Sequence, residues 1–272
     1  MTCFVSSVIS INILLPSPPP QCRSAVIESS AWTTTFSRTT YTLEQWANTW
    51  DMRFNPCKCY ILSMKRAGVK SAILYTLCGQ VLESVTNNPY LGVIFTDDLS
   101  FSMHVRQVCA KATRIYIRNC SQKLRKLAYT GMCRSVLEYA SPIWDPYLQC
   151  DIDSLEHIQR KAARFTTRDF RQWSSVTAMM HDLQCEPLAE RRTKTRVILM
   201  YLILNDEVAI PISPSILQPG RRVRFIQPAH HYQQYKHSFY TWTICDWNLL
   251  PSKLKDSPWL DSFKNGLPVH YY

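Results

Sequence analysis

The feature that most constrains this chain is a change of period at Asp98. Before it, apolar residues come in short runs of strand length. After it, they recur every three or four residues, the spacing of one helix face. "CYILSM" (59–64) reads as a strand, and "AILYTL" (72–77) and "VLESV" (81–85) flank Cys78-Gly79-Gln80, which predicts a hairpin. "YLGVIF" (90–95) reads as a fourth strand, with Gly92 marking a bulge or a close backbone approach. Beyond the change, Val105, Val108, Ala112 and Ile115 form one apolar stripe, with Lys111, Arg114 and Arg118 on another face. "QKLRKLAYTGMCRSVLEYA" (122–140) predicts a second helix. "DIDSLEHIQRKAARF" (151–165) predicts a third, with Ile152, Leu155, Ile158, Ala162 and Phe165 as its apolar face. Asp151 and Asp153 suit the positive N-terminus of that helix. Further helices are expected at 175–183 and 187–204. Strands followed by helices predict an α+β protein.

The same reading divides the chain into four stretches. Residues 1–40 carry "PSPPP" at 16–20 and no clear period, and read as a poorly ordered leader. Residues 41–100 hold the strands, preceded by "LEQWANTWDM", in which Leu43, Trp46, Ala47 and Trp50 have helical spacing until Asn55-Pro56 breaks it. Residues 101–172 are helical. Residues 173–272 begin with helices and turn irregular after Pro211, where prolines and aromatics replace clean periodicity.

Charge narrows the partner. Lys and Arg outnumber Asp and Glu by 31 to 20, a formal charge of +11. That excess suits a polyanion, nucleic acid before an acidic membrane surface. Over 104–172 the balance is 13 to 6. Hydrophobic residues make up 46% of the chain, too many for a disordered protein. The 11 cysteines are scattered, which reads as reduced thiols in a cytoplasmic or nuclear protein. Cys57, Cys59 and Cys78 lack the second pair that a zinc site needs. No apolar run spans a bilayer, and the opening "MTCFVSSVISINILLP" lacks a positive segment before its apolar stretch. No glycine-rich phosphate loop and no Ser-His-Asp arrangement is present, so neither a cofactor nor a small-molecule ligand is expected. His230, His231 and His237 read as surface or packing residues in an aromatic-rich stretch.

"FTDDL" (95–99) pairs two aspartates behind an aromatic residue, the metal-binding signature of reverse transcriptases. Its surroundings supply the context. "LEQWANTWDMRFNPCKCYIL", "YTLCGQVLESVTNNPYLGVIFTDDLSFSMHV", "EYASPIWDPY" and "LEHIQRKAARF" follow one another in a fixed order. Together they resemble the C-terminal part of the reverse transcriptase (RNA-directed DNA polymerase) of non-LTR retrotransposons, of the Jockey and CR1 kind. "SSVTAMMHDLQCEPLAERR" and "YKHSFYTWTICDWNLLPSKL" resemble the tail that follows the polymerase in the same transposable elements. The resemblance covers about residues 41 to 267. It implies that the catalytic aromatic-x-Asp-Asp turn belongs upstream of Leu43, where residues 1–42 contain no aspartate. Asp98-Leu99 then match an Asp-Leu pair that follows the "YLGV" hairpin, and Asp97 is a chance neighbour. Polymerases hold two metal ions between carboxylates from separate segments. The expectation is therefore a truncated, non-catalytic chain with no metal.

The resemblance also implies an architecture: a small sheet or hairpin remnant of a polymerase palm, a mostly helical thumb-like region and an irregular tail. Lys58 in "FNPCKC" matches a lysine near the incoming nucleotide's phosphates, where a cation can protonate or neutralise a leaving oxyanion. Tyr90, Leu91 and Gly92 in "YLGV" match a tight hairpin that grips the primer, where glycine lets backbones approach. Equally, Tyr90 and Leu91 are ordinary packing residues of a small sheet. The helices after Ser102 match the thumb, which holds the template–primer duplex through phosphate contacts that carry no sequence information. Lys111, Arg114 and Arg118 supply one stripe of cations for RNA or DNA duplex, and Arg160, Lys161, Arg164 and Arg168 supply another. The chain departs from the family in a shortened helix between Ile117 and Gln122, in Ser135 where proline is common, and in Cys245-Asp246 before Trp247. The expected function is at most sequence-independent nucleic-acid binding. The alternative is an inert translated remnant or a helical interaction protein.

Overall fold

The computed structural model describes residues 7–11, 32–63, 75–115, 120–210, 225–227, 229 and 232–267; of 7–11, 32–40 and 63 only the backbone is described. Arg118, His230, His231 and the proline-rich 211–224 lie outside the described residues. The fold is α+β with small sheets and a mostly helical second part, as expected. The chain divides into two compact units, 1–101 and 102–272.

In the first unit, strand β1 (Ser7–Ile11) is followed by helix α1 (Trp32–Thr49), β2 (Cys59–Ser63), β3 (Thr76–Leu77), β4 (Gln80–Val81), β5 (Glu83–Val85), β6 (Asn87–Tyr90) and β7 (Val93–Thr96). β2 is central, antiparallel to β1 and parallel to β5. Its neighbours Ile61 and Leu62 are both buried, as on a strand covered on both faces. Cys59 and Ile61 join Tyr75, Leu77 and Leu82 in one cluster, with Phe54 against it. The stretch read as a leader thus contains a strand and the first turns of a helix. "SVISI" is rich in β-branched residues, which suits a strand, and α1 starts at Trp32 rather than near Leu43. Asp51 ends α1 in the left-handed conformation (φ 51°), with the Met52 amide donating back to the Ala47 carbonyl at 2.8 Å.

Two strand readings change. The run 81–85 is split at Leu82, which turns into the core and donates its amide to Tyr75 at 2.8 Å, so that β4 pairs with β3 and β5 pairs with β2. The run 90–95 is not one strand but the two arms of a hairpin, with Tyr90 opposite Val93. Both hairpins close on two residues of positive φ, Cys78-Gly79 (51° and 76°) and Leu91-Gly92 (47° and 84°), the turn whose twist matches the strands.

The second unit contains α2 (Ser102–Thr113), α3 (Gln122–Ala128), α4 (Arg134–Glu138), α5 (Ser141–Trp144), α6 (Gln149–Thr167), α7 (Val176–Asp182), α8 (Leu188–Leu204), α9 (Gln233–Lys236), α10 (Phe239–Leu249), α11 (Ser252–Lys255) and α12 (Leu260–Gly266). Most of the stripes read from the sequence point inward: Val105, Val108 and Ala112 of α2 and Leu155, Ile158 and Ala162 of α6 are buried, and the two helices pack together. Ile115 lies past the end of α2, and it, Ile152 and Phe165 are only half-buried. The single helix expected over 122–140 is broken. A π-helical turn at Tyr129–Cys133 separates α3 from α4, and both its end residues are buried. The wider turn lets Tyr129 donate its hydroxyl to Gln159 of α6 at 2.6 Å. Ser135 donates to the carbonyl of Gly131 in that turn at 2.8 Å.

Helix α8 is the hub of this unit, packed by α5, α6, α10 and α12. Its lower half joins Val197, Met200 and Tyr201 to Ile244, Trp247, Leu254 and Phe263. The tail read as irregular therefore holds ordered helices. Helix α10 escaped notice because it is buried on more than one side, with Thr241, Thr243, Ile244, Asp246 and Trp247 all inside, which erases an amphipathic period.

Candidate nucleic-acid interface

The first unit carries two of the expected contact groups. Lys58 closes a 3-10 turn (Pro56–Lys58) that its amide anchors to Asn55 at 3.0 Å, and its side chain is exposed. In the β6–β7 hairpin Tyr90 is half-buried, its ring meeting Phe95 edge to face at 6.4 Å. Leu91 projects from the turn, 73% exposed. Tyr90 therefore packs, while Leu91 and Gly92 present backbone to the outside.

The Asp97-Asp98 pair sits just beyond that hairpin. Asp98 Oδ1 accepts the Ser100 amide at 2.8 Å and lies 2.6 Å from the Thr96 hydroxyl. The Asp97 amide donates to Thr86 at 2.9 Å and extends the ladder by one step. This is a side-chain-stabilised turn, one of the commonest uses of aspartate. Among the described residues no three His, Cys, Asp or Glu side chains gather as a metal would need.

In the second unit, Lys111 and Arg114 are exposed at the C-terminal end of α2. On α6, Arg160 and Lys161 are exposed on the side away from Leu155, Ile158 and Ala162, and Arg168 follows as an exposed left-handed cap (φ 59°). Arg164 behaves differently. Its guanidinium faces the loop after α6, donating to the carbonyl of Arg171 at 2.8 Å and reaching those of Asp169 and Ser174 at 3.5 Å. The stripe of four expected on α6 thus leaves Arg160, Lys161 and Arg168 facing outward.

Other cations are consumed inside the fold. Arg125 is buried and donates from Nε and Nη2 to the Thr166 carbonyl at 3.1 and 2.9 Å, closing the end of α6. Arg191 grips Glu138, and Lys194 pairs with Glu186 at 2.8 Å. The deepest set joins Arg192 and Arg196 of α8 to Asp145 and Asp246. Arg192 meets Asp145 at 2.7 Å, and Arg196 meets both Asp145 and Asp246, the latter at 2.8 Å. Arg196 also lies over the Trp242 ring, 4.1 Å from its centre. Burial lowers Arg192 to about 10 against the pull of Glu156 and Glu138. Burial raises the Glu156 carboxyl, which nevertheless accepts the Ala189 amide at 2.9 Å at the start of α8.

These contacts explain several motif residues. In "EYASPIWDPY" Glu138 holds Arg191, the Tyr139 carbonyl accepts the Trp144 indole N–H at 2.7 Å, and Asp145 holds the α8 arginines. Trp144 also meets His104 of "SMHV", edge to face at 4.9 Å. Tyr147 stacks on His237 at 4.5 Å, which makes that histidine a packing residue.

Sequence reasoning missed two features. One is the buried four-charge set, signalled by Arg192 and Arg196 one turn apart in a helix otherwise apolar at those positions. The other is "RDFRQW" (168–173), which alternates cations and aromatics. Phe170 is 66% and Trp173 82% exposed, beside Arg168 and Arg171. Comparison with protein-family models, curated proteins and solved structures gave no match. Among the described residues no helix is long and apolar enough to cross a membrane.

Proposed function

We propose that this chain binds nucleic-acid duplex without regard to sequence, in the manner of a polymerase thumb, and does not itself catalyse nucleotide transfer. The observation that carries the reading is the exposed pair Arg160 and Lys161 on one side of α6, with Arg168 at its cap, while the other side is fixed in the core by Leu155, Ile158 and Ala162. A rigid helix presenting cations is what phosphate contacts require. Lys111 on α2 and Arg114 just past its end add to the same potential. The ordered motifs resembling non-LTR reverse transcriptases support duplex as the partner. The engagement of Asp98 in its own turn supports a non-catalytic role for the Asp-Asp pair. A cytoplasmic or nuclear location goes with that partner.

The test is fluorescence anisotropy with labelled DNA duplex and RNA–DNA hybrid of unrelated sequences. Wild type is expected to bind all of them alike, and Arg160→Ala/Lys161→Ala to bind all of them more weakly by a common factor. Equal affinity of the variant removes the stripe from the account. Absence of binding at low salt favours the inert remnant.

A further inference from the structure

The loop after α6 shows two large aromatic rings to water, an unfavourable arrangement unless something covers them. The loop is not loose. Arg164 holds it from beneath through the carbonyls of Asp169, Arg171 and Ser174. The Asp169 carboxylate accepts Arg171 Nε and Nη2 at 2.9 and 2.8 Å and the Arg171 amide at 3.1 Å. That clamp, led by the Arg171 hydrogen bond, drives the Asp169 carboxyl well below its usual range. A shallow, open depression beside Phe170 is lined by Thr167, Arg168, Asp169, Arg171 and Met179. With Asp169 neutralised by Arg171, Arg164 and Arg168 leave the loop positive.

We infer that Phe170 and Trp173 form a stacking platform for unpaired nucleobases that extend from a duplex lying on α6, with Arg168 on the side of the backbone phosphates and Arg171 held by Asp169 to shape the loop. This deepens the nucleic-acid reading and rests on it. Flat aromatic faces beside guanidinium groups are the combination that holds single strands: each base offers a π-face to the ring, and each phosphate a charge to the arginine. Within a duplex the base faces are covered by their neighbours, except the outer face of the terminal pair, so an unpaired extension offers the platform far more to stack on.

The experiment compares a blunt, fluorescein-labelled DNA duplex with the same duplex carrying an unpaired thymidine tail. Wild type is expected to bind the tailed duplex about tenfold more tightly than the blunt one. Phe170→Ala/Trp173→Ala is expected to lose that advantage and keep blunt-duplex affinity. Phe170→Leu/Trp173→Leu keeps apolar bulk without a flat face and should lose it too, while Phe170→Tyr/Trp173→Phe should retain it. Both rings are exposed, so circular dichroism should not change in any variant. Blunt and tailed duplexes bound equally well by wild type would overturn the platform and leave the duplex reading standing. An advantage that survives in the leucine variant would overturn stacking. Failure of wild type to bind either probe would defeat the nucleic-acid reading and this inference with it. Binding of phosphatidylserine vesicles that is lost in the alanine variant, while the tail advantage persists, would assign the rings to a membrane surface and overturn the proposal.

Discussion

Arg196 of α8 donates from Nη2 to Asp246 Oδ2 of α10 at 2.8 Å, with 2% and 3% of the two side chains exposed. Asp246 compensates a guanidinium that would otherwise be buried with only Asp145 to share between two arginines. Breaking such a pair strands a charge in the core and costs about 3–5 kcal/mol. Asp246→Ala is expected to lower stability by that order in urea unfolding. Arg196→Met/Asp246→Leu should lose less than the sum of the single changes, because neither charge is then stranded. Additive losses would show that the two side chains do not depend on each other.

His104 gives a pH dependence. It is 1% exposed, and burial, helped by Lys111, pushes its pKa down to about 4 from an ordinary 6.5. The unfolded chain therefore binds the proton first. Stability from this site is fully present above 6.5 and is lost as pH falls through 4, by about 3 kcal/mol at most. Glu156 acts oppositely: burial raises its pKa, so its contribution is greatest in acid and declines as pH rises past its ordinary value. The unfolding midpoint of His104→Phe is expected to vary less between pH 6.5 and 4 than that of wild type. An unchanged profile would place the acid sensitivity elsewhere.

The β6–β7 turn invites a stabilising change. Leu91 holds a φ of 47° that favours glycine or asparagine, and it is 73% exposed. Leu91→Asn should raise stability by about 0.5–1 kcal/mol, through relief of backbone strain at little packing cost. Thermal unfolding of the variant checks this. A fall in the midpoint would mean that the Leu91 side chain packs more than its exposure suggests.

For Asp97-Asp98 the expected result is structural rather than catalytic. Asp98→Ala removes the acceptor for the Ser100 amide and should cost about 1 kcal/mol. Primer extension with magnesium or manganese should show no incorporation by wild type or by Asp97→Asn/Asp98→Asn. Extension by wild type that disappears in the double variant would make the pair catalytic.

The sequence made the long amphipathic elements legible. The apolar residues of α2 and α6 lie inside as their spacing predicts, because each helix has one buried face and one wet face. Legibility failed where that contrast disappears. Helix α10 is enclosed on several sides, so its pattern has no period. Pattern alone reads 90–95 as one strand, because Leu91 is an unusual occupant of a left-handed position and only Gly92 marks the turn; the hairpin is expected only from the resemblance of "YLGV" to a primer-gripping turn. The π-helical turn at Tyr129–Cys133 is set by tertiary contact, Tyr129 with Gln159, which local propensity does not encode. At the site, counting charges located the basic region but could not tell Arg160 from Arg164. One faces solvent and the other holds a loop, and a helix wheel places them side by side.

The central claim is that duplex is held by α6 through phosphate contacts, and the salt dependence of binding tests it most directly. Anisotropy titrations of wild type and Arg160→Ala/Lys161→Ala against one blunt duplex, over a series of salt concentrations, give two slopes of log K against log salt. Wild type should weaken steeply with salt, and the variant's slope should be shallower by about one unit for each phosphate that its alanines no longer neutralise. Parallel slopes, or a wild type whose affinity does not change with salt, would contradict the account.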